Sequence, residues 1–258
     1  MRNVLVQTAT LGRRAVIRTL RQPANVIFPL IFPMLLLAVT SGGLKAETYL
    51  PGFPTNSFLA FALAVPFIQG ALLATINANV EFARDIQTGF LNRLALTPVR
   101  GIVLLVGQLG GLITIAVAQA VFYLAVAVAF GVRLEAGVGG AAMILLLEVA
   151  IALGFAALGS WAALRTGSTE AVQGLFPVFF VFLFLSSMNM PRNLIQTDWF
   201  RWVATINPVS YLIEAVRSLV IEGWNWEALG LGFAAAGGLS LVGFALATHA
   251  LWRRLERT

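Results

Sequence analysis

The sequence predicts an all-α integral membrane protein of six transmembrane helices, and three observations carry that prediction. First, 59% of the residues are hydrophobic and only 11% are charged. A soluble domain carries about a quarter charged residues, because water must wet its surface. So few charges cannot clothe a globule, and the outer surface must face lipid. Second, six apolar stretches each approach or exceed the roughly 20 residues a helix needs to cross about 30 Å of hydrocarbon. Third, the basic residues gather on one side of that six-span layout.

The elements follow in chain order. Residues 1–22 have helical periodicity: Asn3, Gln7, Thr10, Arg14, Arg18 and Arg21 share one face, with Leu5, Val16, Ile17 and Leu20 largely opposite. This pattern predicts an amphipathic helix in the membrane interface, where Arg14, Arg18 and Arg21 reach lipid phosphates. The alternative is a solvated helix that merely precedes the first span. Pro23 ends it. Its spread-out arginines do not form the charged start and apolar run of a cleaved signal peptide. The predicted spans are 24–44, with Pro29 and Pro33; 57–80, kinked at Pro66; 102–130; 138–164; 172–190; and 228–251. They form one membrane domain over residues 1–258. With the N-terminus inside, 12 of the 17 basic residues fall on the cytoplasmic side. Lys45, Arg133, Arg192, Arg201 and Arg217 fall outside. Both termini are therefore expected in the cytoplasm of a multi-pass protein. Frequent Ala, Gly and Arg with one Lys point to a bacterial plasma membrane.

Several chemistries are excluded. The chain has no cysteine and one histidine, His249, so thiolate and His-rich metal sites are out. Its one lysine, Lys45, stands in Gly-Gly-Leu-Lys-Ala rather than in a phosphate-cradling G-x-x-x-x-G-K-[ST] loop. No catalytic residue and no cofactor is assigned to this chain. The excess charge of +6 orients helices rather than binding nucleic acid. An intramembrane enzyme lacks support, with no H-E-x-x-H and no paired intramembrane aspartates.

Two connections carry pattern. In residues 81–97, Phe82, Ile86, Phe90, Leu91 and Leu94 recur at helical spacing among Glu81, Arg84, Asp85, Gln87, Thr88, Asn92 and Arg93, and Thr97-Pro98 stops the run. This is a short cytoplasmic amphipathic helix. It is either gripped by another protein or laid on headgroups. On the outer side, Trp199, Phe200 and Trp202 suit the headgroup level. Asn207-Pro208 is a helix start. Val209, Leu212, Ile213, Val216 and Val220 then oppose Glu214, Arg217 and Ser218. A short helical segment that re-enters or lies on the outer leaflet is expected between helices five and six, as an outer gate or a structural lid.

Polar residues within the spans are few. Glu148 lies about 15 Å into the fourth stretch, where an acid costs roughly 2.5–3.5 kcal/mol unless protonated, paired or wet. It either lines a translocation path and meets a cationic compound, or is a neutral carboxyl bonded to Gln108, Gln119 or Asn77. Gln69 and Asn77 line a cavity or hydrogen-bond between helices.

The run R-D-I-Q-T-G-F-L-N-R-L-A-L-T-P-V-R, from Arg84 to Arg100, followed by the third span, resembles the cytoplasmic loop of ABC-2 type exporter permeases, closest to the daunorubicin/doxorubicin-resistance branch. A second stretch is also similar: Phe184-Leu185-Ser186-Ser187, Pro191, the aromatics at 199–202, Asn207-Pro208, Tyr211 and Arg217. The resemblance covers nearly the whole chain. It implies a subunit that pairs with a second copy, a homodimer, and with two copies of a separate ATPase that binds ATP and Mg. The loop after the second span becomes the coupling helix that contacts the ATPase, with Glu81, Arg84, Asp85, Gly89, Phe90, Arg93 and Pro98 as its positions. Asn207, Pro208, Tyr211 and Arg217 become the re-entrant motif at the outer gate. Gly101 departs from the pattern, since a second basic residue is frequent there. The expected function is ATP-driven export of an amphipathic drug-like or lipid-like compound. Alternatives are polysaccharide or lipid-linked glycan export, and proton-coupled secondary transport through Glu148.

Overall fold

The computed structural model describes residues 17, 23–89 and 101–255, and within them it contains helices and turns but no strand. The expected interfacial helix with Arg14, Arg18 and Arg21 lies outside the described residues, as do Phe90, Arg93 and Pro98. We label the helices α1 (Pro23–Gly43), α2 (Phe58–Ala62), α3 (Ala64–Gln87), α4 (Gly101–Ala129), α5 (Gly137–Thr166), α6 (Thr169–Gln173), α7 (Leu175–Phe184), α8 (Asp198–Ile206), α9 (Pro208–Ile221) and α10 (Trp226–Leu255).

Five of the runs are long and apolar enough to cross a membrane: Val26–Gly43, Phe58–Gln87, Leu109–Ala129, Gly137–Thr166 and Trp226–Arg254. The expected fifth span over 172–190 differs. Its helix covers Thr169–Phe184, about 24 Å at 1.5 Å per residue. Gly174 divides it into α6 and α7, and Pro177, which has no N–H, follows at once. Beyond Phe184 the polar Ser186, Ser187 and Asn189 interrupt the apolar run, and the chain is not helical.

The second span is the buried centre. Its residues from Phe58 to Ala74 are almost all buried, and α3 packs against α1, α4, α5 and α9. It breaks briefly at Leu63, just ahead of Pro66. A second boundary also moves. The prediction ended this span at Val80, where charges begin, yet α3 runs unbroken to Gln87. Charge marks where hydrocarbon stops; it does not break a hydrogen-bond ladder. The break comes at Gly89, whose φ of +71° lies in the left-handed region that ends helices.

Two surfaces define the ends of the bundle. At one end Arg84 and Arg165, Arg253 and Trp252 are exposed; we call it the basic end. At the opposite, aromatic end Trp199, Trp202, Trp224 and Trp226 are exposed. The sides between them are apolar. On α1, Ile27, Phe28, Ile31, Leu35 and Val39 face outward, and on α7 so do Val178, Val181 and Phe182. Such a surface is stable only against lipid or protein.

Small residues set the closest helix contacts, as expected for association within lipid. A Cβ on Gly243 of α10 would stand 2.6 Å from the Ala157 Cβ and 2.8 Å from the Leu158 amide nitrogen of α5. Gly243→Leu should therefore destabilise the bundle by about 1–3 kcal/mol, the usual cost of overpacking. Gly238→Leu, with nothing within 4 Å, should leave the thermal unfolding midpoint in nanodiscs unchanged. Equal midpoints for the two variants would contradict this packing.

Candidate functional site: the two ends of the second span

At the basic end, the predicted coupling residues begin on α3 itself. Phe82, Ala83 and Ile86 are buried in a small core with Ala162, Ala163 and Leu164 of α5, Val172 of α6, and Ala247 and Leu251 of α10. The i, i+4 spacing of Phe82 and Ile86 puts both on the inner face. The other face carries Arg84, Gln87 and Thr88, all exposed, with Asp85 half-buried. Arg84 bridges Glu81 one turn back at 2.9 Å. The Thr88 hydroxyl donates to the Arg84 carbonyl at 3.0 Å, and the Gly89 amide to the Ile86 carbonyl at 3.1 Å, which closes the helix end. Arg254 donates to the Leu164 carbonyl at 3.0 Å, placing a cation at the C-terminus of α5 where the helix dipole favours it. Nearby, the Ser168 and Thr169 hydroxyls donate to Glu170 at 2.6 and 2.9 Å. The Ser168 bond foremost, then a backbone bond and Thr169, hold that carboxyl below its ordinary range. This end is a packed cap with a charged outer face.

Deeper in, Asn79 locks α3 to α5. Its carboxamide donates to the Thr75 carbonyl at 2.9 Å and the Ala156 carbonyl at 3.4 Å, and accepts from the Ser160 hydroxyl at 2.9 Å. It occupies the notch left by Gly159.

At the aromatic end, the N-P-x-x-Y…R residues form one network. The Asn207 side-chain carbonyl caps α9 by accepting from the Val209 amide at 3.0 Å, with Pro208 in the first turn. The Asn207 amide donates to the Phe182 carbonyl at 2.6 Å and the Leu185 carbonyl at 3.0 Å. One side chain thus starts α9 and satisfies the end of α7. The Ser187 amide donates to Ser210 of α9 at 3.1 Å. The Tyr211 hydroxyl donates to the Thr205 carbonyl at 2.6 Å. Arg192 lies 4.6 Å above the Tyr211 ring and bridges Glu214 at 2.6 Å.

Arg217 is the centre of this network. It is 5% exposed. Its Nε–H donates to the Phe61 carbonyl at 3.1 Å, and its terminal nitrogen donates to the Ser187 and Met188 carbonyls at 3.0 and 3.1 Å. The guanidinium stacks 3.6 Å from the Phe61 ring centroid. Phe61 lies in α2, beside the break at Leu63, and Ser187-Met188 lie where the fifth helix has ended. The planar fork of arginine reaches carbonyls on two separate segments at once. The clamp therefore joins α9, the broken start of the second span and the end of the short fifth helix.

The comparisons with known proteins say which kind of membrane protein carries this bundle. A family profile described as ABC-2 type transporter matches residues 6–221. The chain belongs to the ABC-2 type transporter family. The permease is 26% identical over 230 residues to the putative transport permease ycf38 of Pyropia yezoensis, covering 87% of this chain and 77% of that protein. It is 24% identical over 226 residues to the probable doxorubicin resistance ABC transporter permease protein DrrC of Mycobacterium tuberculosis strain H37Rv, covering 85% and 78%. It is also 28% identical over 176 residues to ABC transporter G family member 20 of Dictyostelium discoideum, 67% of this chain and 23% of that longer protein.

The permease brings Glu81, Arg84, Asp85 and Gly89 together at one end, and Asn207, Pro208, Tyr211 and Arg217 at the other. Gln69 and Glu148 are buried between the ends, 3% and 0% exposed, inside the subunit rather than on a face that another copy could meet. Asn77 is half-buried, about 12 Å further along α3 than Gln69. Sequence reasoning missed the partners of Arg217. Phe61, Ser187 and Met188 offer backbone carbonyls, which no residue pattern advertises.

Proposed function

We propose that the permease is the membrane-spanning subunit of an ATP-driven exporter, and that a separate ATPase docks on its basic, cytoplasmic end at Glu81–Gly89. The observation that supports this reading most is the second span itself. One helical run, Phe58–Gln87, carries the exposed charged end and, about 36 Å away, the Phe61 carbonyl held by Arg217. Force applied to Arg84, Asp85 and Gln87 can travel along α3 to the break at Leu63 and to the clamped cap beside it. Two copies, each with an apolar α1 and α7 face, enclose the path between them, and two ATPase copies bind ATP and Mg. The outer helices α8 and α9 act as the gate. The aromatic end faces outward, and both termini face the cytoplasm.

The cargo is an amphipathic drug-like or lipid-like compound. The name of one relative refers to doxorubicin resistance, and an apolar bundle with few charges suits a cargo that partitions into lipid. Co-purification from the native membrane tests the reading: a P-loop ATPase should accompany the permease and hydrolyse ATP faster when an amphipathic cargo is added. Transport that persists in vesicles without ATP and stops on adding an uncoupler would sink it in favour of proton coupling.

A further inference from the structure

The middle of the bundle holds polar atoms that neither end uses. Glu148 is fully buried, Gln119 is 1% exposed and Gln69 3%. Both Glu148 carboxyl oxygens, the Gln119 amide nitrogen and oxygen, and the Gln69 amide oxygen have no hydrogen-bond partner. Buried groups of this kind are nearly always satisfied by protein or ordered water.

Three helices bring them to one depth. The α3 and α5 helices run in the same direction, and Asn79 meets Ala156 and Gly159, which sets an offset of 77 to 80 residues between them. That register places Glu148 level with residues 68 to 71, bracketing Gln69. The Tyr123 hydroxyl of α4 lies against Gly70, in the same layer, and donates to the Pro29 carbonyl at 2.5 Å, which leaves its oxygen free to accept. Gln119 lies one turn from Tyr123 on the same face of α4. No cation approaches within ion-pair distance of Glu148 among the described residues. The unpartnered set mixes donors and acceptors: the Gln119 amide nitrogen beside the oxygens of Gln69, Gln119 and Glu148. Water, which both donates and accepts, can satisfy the two kinds at once.

We infer that Glu148, Gln69, Gln119 and Tyr123 enclose an internal hydrated pocket at mid-membrane in each subunit, which holds ordered water on an un-ionised Glu148 carboxyl. The pocket is separate from the cargo path and from both ends of the second span. It gives α3, α4 and α5 a polar joint that can re-form its bonds when the helices shift, where direct side-chain bonds would have to break.

Infrared spectroscopy of the permease in nanodiscs, with its stability measured alongside, tests the pocket. The carboxylic C=O band lost in Glu148→Gln should lie at the position of a hydrogen-bonded acid. In H218O, a water O–H band should shift that is absent in Glu148→Leu. Glu148→Gln should unfold at nearly the wild-type temperature, while Glu148→Leu, which displaces water and strands Gln119, should unfold lower. A C=O band at the position of a free acid, a carboxylate band in its place, or Glu148→Leu as stable as the wild type would each overturn the inference. The infrared bands decide the matter even where the leucine variant fails to fold, and none of these readouts depends on transport.

Discussion

Arg217→Met should unfold the cap of the permease and abolish transport. Methionine fills much of the volume but donates nothing, so the carbonyls of Phe61, Ser187 and Met188 lose their donor in a buried site. Each such loss costs about 1–3 kcal/mol, and the stacking on Phe61 adds about 1 kcal/mol. These contributions share one side chain and do not simply add. A loss of at least about 3 kcal/mol is still expected, a large share of the 5–15 kcal/mol that holds a typical domain together. Arg217→Lys keeps the charge but has no planar fork to reach two segments, so its midpoint should fall between the two. Thermal unfolding in nanodiscs and export from cells expressing each variant check the order. If the methionine variant melts and exports like the wild type, the clamp has no part in holding the cap.

Asp85→Arg should uncouple the machine while leaving it folded. Asp85 is half-buried on α3, next to the exposed Arg84. Reversing its charge sets like against like wherever the docking partner presents a base, a penalty of several kcal/mol at protein interfaces. We expect at least about a tenfold drop in cargo moved per ATP hydrolysed, since 1.4 kcal/mol is a factor of ten. Gly89→Val should act through geometry. A β-branched residue at φ of +71° costs about 1–2 kcal/mol, so the chain should leave the helix end in another direction. The check is transport and hydrolysis measured together in proteoliposomes. An unchanged ratio in both variants would remove Glu81–Gly89 from the coupling role.

The sequence made the bundle legible wherever one physical quantity decides the outcome. Apolar length fixed the positions of α1, α4, α5 and α10 to within a few residues, because hydrocarbon thickness demands it. It misjudged the fifth helix, which was expected to reach Met190 but ends at Phe184. Asn207 and Arg217, 20 to 30 residues further on, accept the burden of its last carbonyls, and such tertiary satisfaction has no local signature. The N-cap role of Asn207 was readable from Asn-Pro alone; its hold on α7 was not. Glu148 stood out at once as an acid in a span. Its neighbours did not, because Gln69, Gln119 and Tyr123 come to its level only through a helix register that Asn79 and Gly159 set.

The permease contains no cysteine, so a single introduced one can test whether an ATPase docks at the basic end. Gln87→Cys sits on the exposed face of α3 at the basic end, and Trp202→Cys on the exposed aromatic end. In native membranes, Gln87→Cys should cross-link to an ATP-hydrolysing protein, the cross-link should stop cargo export, and Trp202→Cys should give no such product. Capture of the ATPase at Trp202, or of none at Gln87 while export driven by ATP continues, would contradict the account.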